Sequence, residues 1–531
     1  MDVDCLPYDQ ISFLPSLIRD YLADRPELKT LYGNRPDLAG FAEQLKQKQL
    51  PEENRAVLAD VLIEQYQSLD HKEKQLRHIE ALRLPNTYSV TTGHQLALFS
   101  GPLYFIYKIL STINLAEQLQ QAHPDAHFVP VFWMASEDHD FEEINHFFAG
   151  DRKISWERDF GGAVGEMSTE SLSIDGELKA ALGTTRQSEE LLDLFQRAYK
   201  KHANLADATR YLVHEWLGEY GVVVIDANDR RLKAQFVNQM SQEVTAGTGQ
   251  DKISKSIQEL TQLGYKAQVN PRDINLFYLS PDRRDRMTWE GEKVVLVDAD
   301  KSWTQEELLA EMQSHPERFS PNVVMRPLYQ EVILPNLAYI GGAGEMSYWF
   351  ELMTMFEAHQ VTFPILMLRN SVLHIPLRIR KKMDKLGVKP TSLFKPLHEM
   401  EKDWVKTHAC DLDLEPETAA LEDLGKRLME KAQSLDASLQ GAAAASHKRW
   451  FNEIEKINKK MIRAEKRKNE QVMRQLGEIK EAAFPGGTFQ ERRHNYSWYY
   501  LQGRTRMIQV LKEQLDPFCQ EITLLFESDR A

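Results

Sequence analysis

The sequence predicts an α/β protein, with a doubly wound parallel sheet as its core and a long α-helical arm after it. Three observations carry this reading. Five short apolar runs, "TYSVTT" (87–92), "HFVPVFWMAS" (127–136), "YGVVVIDAND" (220–229), "LAYIGGAGE" (337–345) and "FPILMLRNS" (363–371), are separated by stretches of helical pattern. They are nearly continuous rather than alternating, as strands covered on both faces of a parallel sheet must be. After about residue 385 the apolar residues narrow to a seam between charged ones. Finally, 531 residues are more than one hydrophobic core holds, so two or three domains are expected.

Along the chain, residues 8–84 carry helical pattern, clearest in "PEENRAVLADVLIEQYQSL" (51–69), which Pro51 opens at the first position of a helix. The strand at 87–92 runs into a Thr-Gly-His-Gln turn and a further helix, with Ser100-Gly101-Pro102 marking either a break in that helix or its true start. Two stretches, 147–205 and about 265–325, mix strand-like pieces with frequent turns and read as insertions beside the sheet. The core is thereby assigned to 1–385 and the arm, with a tail returning to the core, to 386–531. In the arm, Leu421, Leu424, Leu428, Leu435 and Leu439, then Ile454, Ile457, Met461 and Ala464, fall at three-to-four spacing, as in a coiled coil. The seam stutters near Lys468 and stops at "FPGG" (484–487), and "GAAAAS" (441–446) reads as a close helix crossing or a hairpin corner. The basic run 456–468 reads as a solvated face of the arm or as an RNA or nucleotide contact.

Composition excludes several function classes. A formal net charge of −14 repels polyanions, which argues against nucleic acid or an anionic membrane as partner. The three cysteines, Cys5, Cys410 and Cys519, are too widely spaced to suggest a ligand pair or a disulfide framework. No window approaches eighteen apolar residues and no signal peptide is legible, so a cytoplasmic protein is expected.

Polar and glycine-rich clusters follow four of the apolar runs. In a doubly wound sheet ligands bind at the carboxyl ends of the strands, so these clusters should converge on one site. Thr91, Thr92, Gly93 and His94 stand where free backbone N–H groups attract an anion, or where a turn simply caps a helix. "SEDHDFEEINH" (136–146) concentrates Glu137, Asp138, His139 and His146, for proton handling, a metal, or a structural network. Gly341, Gly342 and Gly344 could form an N–H nest before Glu345, which would hold an ammonium group or favour the helix end. Arg369, Asn370 and Ser371 offer a carboxylate or phosphate contact or an ordinary surface salt bridge, and Arg272, Asn275 and Tyr278 in the second insertion add polar groups that face the cleft or a hairpin edge.

Together, "TTGHQLALFSGPLYFIYK", "PVFWMASEDHDFEEINH", "RPLYQEVILPNLAYIGGAGEMSYW" and "RNS" resemble the BshC family of bacillithiol biosynthesis over almost the whole chain. The resemblance implies a Rossmann-like core, a connecting insertion, and a coiled coil that makes a homodimer. It further implies a ligase that joins cysteine to the amine of glucosaminyl malate, with ATP as co-substrate, Mg²⁺ accompanying it, and no tightly bound metal. Thr91 to His94 also match the T/HxGH motif of class I synthetases, which suggests a cysteinyl adenylate. On this reading His94, Glu137, Asp138 and His139 are catalytic, and Thr91, Thr92, Gly93, Gln95, Gly341, Gly342 and Gly344 bind the nucleotide. Ser100, Tyr104, Arg272, Asn275, Tyr278, Glu345, Arg369, Asn370 and Ser371 bind the other substrates. "KISKS" (252–256) stands where such synthetases carry KMSKS, although Ile253, Ile257 and Leu260 equally make it an amphipathic helix. Two rival readings are a metal-dependent hydrolase built on 137–146 and a ligand-binding scaffold without catalysis.

Overall fold

The computed structural model describes residues 1–408 and 414–528, so Cys410 lies outside the described residues. Its strands in chain order are β1 (Asp2–Pro7), β2 (Thr87–His94), β3 (His127–Met134), β4 (His146–Ala149), β5 (Arg152–Ser155), β6 (Val223–Asp226), β7 (Leu276–Ser280), β8 (Arg283–Glu290), β9 (Lys293–Leu296), β10 (Ser302–Thr304), β11 (Phe319–Pro321), β12 (Asn336–Gly341), β13 (Ile365–Leu368), β14 (Ser371–Ile375) and β15 (Glu521–Phe526).

The five apolar runs become the central sheet, in the order β13-β12-β2-β3-β6, with every neighbouring pair parallel. Chain order runs outward from β2 through β3 to β6, then returns to the other side of β2 for β12 and β13. The reversal falls between β2 and β12, and there the loops diverge and leave a crevice. The buried helix Tyr104–Ala122 crosses from β2 to β3 and packs on both. Its residues are apolar nearly all round because it lies between the sheet and the C-terminal tail, and Asn114 donates to the carbonyl of Lys512.

The first insertion is the antiparallel hairpin β4/β5 with the helices Asp175–Leu182 and Arg186–Lys201. The second is a separate antiparallel sheet, β10-β9-β8-β7-β11, closed by the helix Gln305–Ser314. "KISKS" lies inside the helix Thr248–Gln262, where Ile253, Ser256 and Leu260 are buried. That helix does not line the crevice.

In the arm, the helices Glu415–Leu435 and Leu439–Lys468 form a hairpin, so "GAAAAS" sits just past its corner. The stutter is a real break: Asn469 leaves helical geometry and a new helix runs Glu470–Ala483. The tail does return to the core, as β15, which pairs antiparallel with β1 and parallel with β14. This third sheet joins the two ends of the chain.

Candidate active site

At the crevice the carboxyl ends of β2, β3, β12 and β13 open into a cavity of about 800 Å³. Six cationic side chains line it, Lys108, Arg272, Arg284, Arg326, Arg369 and Arg492, against three acids, Glu137, Asp138 and Glu345. Its field therefore favours anions, although the chain as a whole is acidic.

After β2 the backbone makes an unusual turn. Phe99, Ser100 and Gly101 all have positive φ (49°, 67° and 61°), a conformation that persists only where its surroundings enforce it. Here Tyr199 Oη accepts the Phe99 N–H at 2.7 Å, and Asn495 Nδ2 donates to the carbonyls of Phe99 and Gly101 at 2.7 and 2.6 Å. The turn aims the start of the next helix so that Tyr104 and Lys108, one turn apart, face the cavity.

Lys108 Nζ donates to both oxygens of Glu345, at 2.8 and 2.7 Å, and to the carbonyl of Gly93. Burial alone would raise the Glu345 carboxyl, but Lys108 and the Gly342 N–H (2.8 Å) outweigh it and hold the group at about 2. Glu345 thus caps its own helix, and the Gly342 N–H expected to meet a ligand is already engaged. Gly344 lines the cavity, whereas Gly341 packs against Tyr339 and Met346 and does not.

His94 lines the cavity between the rings of Tyr104 and Phe105. Its Nδ1 lies 2.7 Å from the carbonyl of Gln95, which can only accept, so Nδ1 carries the proton and Nε2 has a lone pair. Burial, then the charge of Lys108, lowers its pKa to about 4. His94 is therefore neutral, with Nε2 as a hydrogen-bond acceptor.

The loop after β3 supplies Glu137 and Asp138. Glu137 pairs with the buried Lys233 at 3.0 Å. Asp138 accepts from Gln95 Nε2 at 3.0 Å and from the His139 N–H at 2.8 Å. Burial would raise Asp138, but hydrogen bonds from His139 and Gln95 and the charge of Arg284 hold it well below the usual carboxylate range. So weak a base is a poor general base at neutral pH. His139 stands outside the cavity lining, with Arg284 donating to its Nδ1 at 3.1 Å. Among the described residues, the acids and histidines of 137–146 do not bring three potential ligand atoms together as a metal set.

Other expected residues are turned elsewhere. Thr91 donates to Asn336 Oδ1 (2.8 Å) and Thr92 to the carbonyl of Ile340 (2.7 Å), so both hydroxyls are directed into the sheet. Ser100 is buried away from the cavity. Asn275 donates to Glu243, and Tyr278 donates to Glu311 within the second insertion. Asn370 is held by Ser111 and the carbonyl of Asp516, and the Ser371 hydroxyl by Arg369 and Glu491. Apart from the Ser100 hydroxyl, which has no hydrogen-bond partner among the described residues, each of these hydroxyls and amides found a partner in a neighbouring element rather than in the crevice. Gly93, Gln95, Tyr104, Arg272 and Arg369 do line it.

Sequence reasoning missed Lys108, Arg284, Arg326 and Arg492, because single cations within helices and hairpins carry no local motif. Two of the arginines present unpaired N–H groups. Arg326 Nη1 binds Gln330 Oε1 at 3.0 Å while Nη2 is buried without a hydrogen-bond partner. Arg369 Nη2 pairs with the buried Glu491 at 2.5 Å, and its Nε is likewise unpartnered. Glycine at 342 leaves that Nε edge open, since a Cβ there would stand 3.8 Å from it.

Residues 1–370 match the family description "Bacillithiol biosynthesis BshC, N-terminal Rossmann-like domain", and residues 372–527 match "Bacillithiol biosynthesis BshC, C-terminal coiled-coil domain". A protein of Flavobacterium johnsoniae is 40% identical over 97% of this chain and 98% of its own length. One of Christiangramia forsetii is 39% identical over 99% of each, and one of Bacillus cytotoxicus 27% identical over 92% of this chain and 94% of its own length. All three are named "Putative cysteine ligase BshC". Fold, crevice and relatives together define a Rossmann-like enzyme of the ligase class that forms a carbon–nitrogen bond, extended by a coiled-coil domain. The chain belongs to the BshC family of bacillithiol biosynthesis.

Proposed function

We propose that the cavity joins the carboxyl group of cysteine to the amine of glucosaminyl malate, with ATP activating the carboxylate. The observation that supports this best is the pair of unpartnered buried guanidinium edges, Arg326 Nη2 and Arg369 Nε, in a cavity rich in cations. Buried N–H groups without partners are costly unless a ligand completes them, and guanidinium edges suit carboxylate and phosphate oxygens. Amide formation from a free carboxylate is uphill in water. In the reading we favour, a carboxylate oxygen attacks the α-phosphorus, pyrophosphate leaves, and the sugar amine displaces AMP from the acyl carbon. Mg²⁺ accompanies the nucleotide. The amine arrives as ammonium and must lose its proton to water before it attacks; His94, held at about 4, is too weak a base to keep that proton, and its Nε2 lone pair instead accepts a hydrogen bond that orients the amine. We also propose a cytoplasmic homodimer paired through the arm, where Leu424, Leu428, Leu435 and Ile457 are exposed in the single chain.

The test is to incubate the purified protein with ATP, cysteine and glucosaminyl malate. Amide product with one AMP per turnover supports the reading. ADP would replace the adenylate by an acyl phosphate, and no amide from an intact, folded enzyme would contradict the proposal.

A further inference from the structure

Outside the cavity lining, the fold brings together two cysteines from opposite ends of the chain. Cys5 lies on β1, opposite Thr523 of β15, and Glu521 lies opposite Pro7, so Cys5 and Glu521 share one face of the ladder. Cys519 sits in the turn entering β15, its N–H donating to the carbonyl of Asp516 at 3.1 Å, with its Sγ 3.9 Å from Glu521 Oε2. The two sulfurs and a Glu521 oxygen all lie within 4.8 Å of one another, the one such group of three potential ligands among the described residues. Neither the family match nor the mechanism above makes any use of them.

We propose that Cys5, Cys519 and Glu521 form a site for a thiophilic divalent cation of the Zn²⁺ type. Zinc bonds of about 2.3 Å to sulfur and about 2.0–2.2 Å to oxygen place donors at separations these side chains reach by rotamer adjustment. Two thiolates select a soft or borderline ion over Mg²⁺ or Ca²⁺. The surrounding charge has the right sign, since Asp4 acts on Cys5 and Asp516 on Cys519, in addition to Glu521 itself. Cys5 is exposed, which gives an ion access and leaves a coordination position for water. Bound there, the ion would tie the first strand to the last within the sheet whose third strand, β14, follows directly on Arg369 and Asn370.

The experiment uses the reduced, metal-free full-length protein titrated with Co²⁺. One equivalent should bind with a thiolate-to-cobalt charge-transfer band in the near ultraviolet, and Zn²⁺ should bleach it. The C410S variant should retain the band, C5S and C519S should each abolish it, and E521Q should weaken binding about tenfold or more. Zn²⁺ should raise the melting temperature of the wild type but not of C5S. The proposal is overturned if no band appears, if the band survives in C5S or C519S, or if the reduced protein takes up no metal while air oxidation links Cys5 to Cys519 as a disulfide.

Discussion

His94 illustrates how a single hydrogen bond fixes a role: the Gln95 carbonyl claims Nδ1, and burial keeps the ring neutral. His78 and His494 are also held at about 4, in each case chiefly by burial. Below the ordinary histidine value near 6.5, the unfolded chain therefore binds protons that the folded chain does not. The stability that these neutral rings contribute is complete above about pH 6.5 and is lost as pH falls from there to about 4. Urea unfolding at pH 7.5 and pH 5 should show the decline, and H94Q should flatten it. A profile unaltered by H94Q would show that His94 is not held neutral by the fold. The pair of buried Lys108 and half-buried Glu345 yields a second expectation. K108M leaves the carboxylate without its partner and should destabilise the protein by about 1–3 kcal/mol in the same assay, less than for a fully buried pair because water reaches Glu345, with K108M/E345Q recovering much of the loss. At this scale the sequence was half legible. Gly93, His94 and Arg369 could be placed by their position after strands, but the directions of the Thr91 and Thr92 hydroxyls depended on Asn336 and Ile340, far along the chain.

Among the elements, the loop after β3 owes its shape to the first insertion. The Val164 N–H donates to the carbonyl of Asp138 and the Gly165 N–H to that of Ser136, both at 2.8 Å. A Cβ at position 165 would stand 2.5 Å from Ser136 Cβ and 3.1 Å from its backbone, so only glycine permits the approach. G165A should push the insertion off the loop, cost about 1–3 kcal/mol, and lower kcat/KM for the ligation while leaving the arm's helicity unchanged by circular dichroism. Equal activity in G165A and wild type would mean that the loop keeps its shape unaided. The five buried strands were legible because a parallel sheet covered on both faces requires continuous apolar runs. The short edge strands β1 and β14 were not, since their pairing with β15 joins segments from both ends of the chain.

For the whole molecule, the site is assembled from both family-matched regions. Glu491, Arg492 and Asn495 follow the coiled coil, yet they pair with Arg369, line the cavity and pin the turn at 99–101. The aromatic-rich tail was legible as something that returns to the core, but the side chains it delivers to the crevice were not, because no spacing links residue 491 to residue 369. The exposed leucines of the arm bear on assembly. Sedimentation should give a dimer for the wild type and a monomer for L428E/I457E, and a monomeric wild type would contradict pairing through this seam.

ATP binding by calorimetry in wild type and R326Q tests most directly whether the crevice between β2 and β12 receives anionic substrates through its arginines. Arg326 contacts Gln330 and Tyr348 and lies over Trp133 and Tyr339, and the nearby Glu345 is paired with Lys108, so replacing Arg326 leaves no carboxylate without a partner. A loss of about 1.5–3 kcal/mol in binding, roughly tenfold or more in Kd, with an unchanged unfolding transition is the predicted result. Equal affinity in the two proteins would place the nucleotide elsewhere and contradict the account.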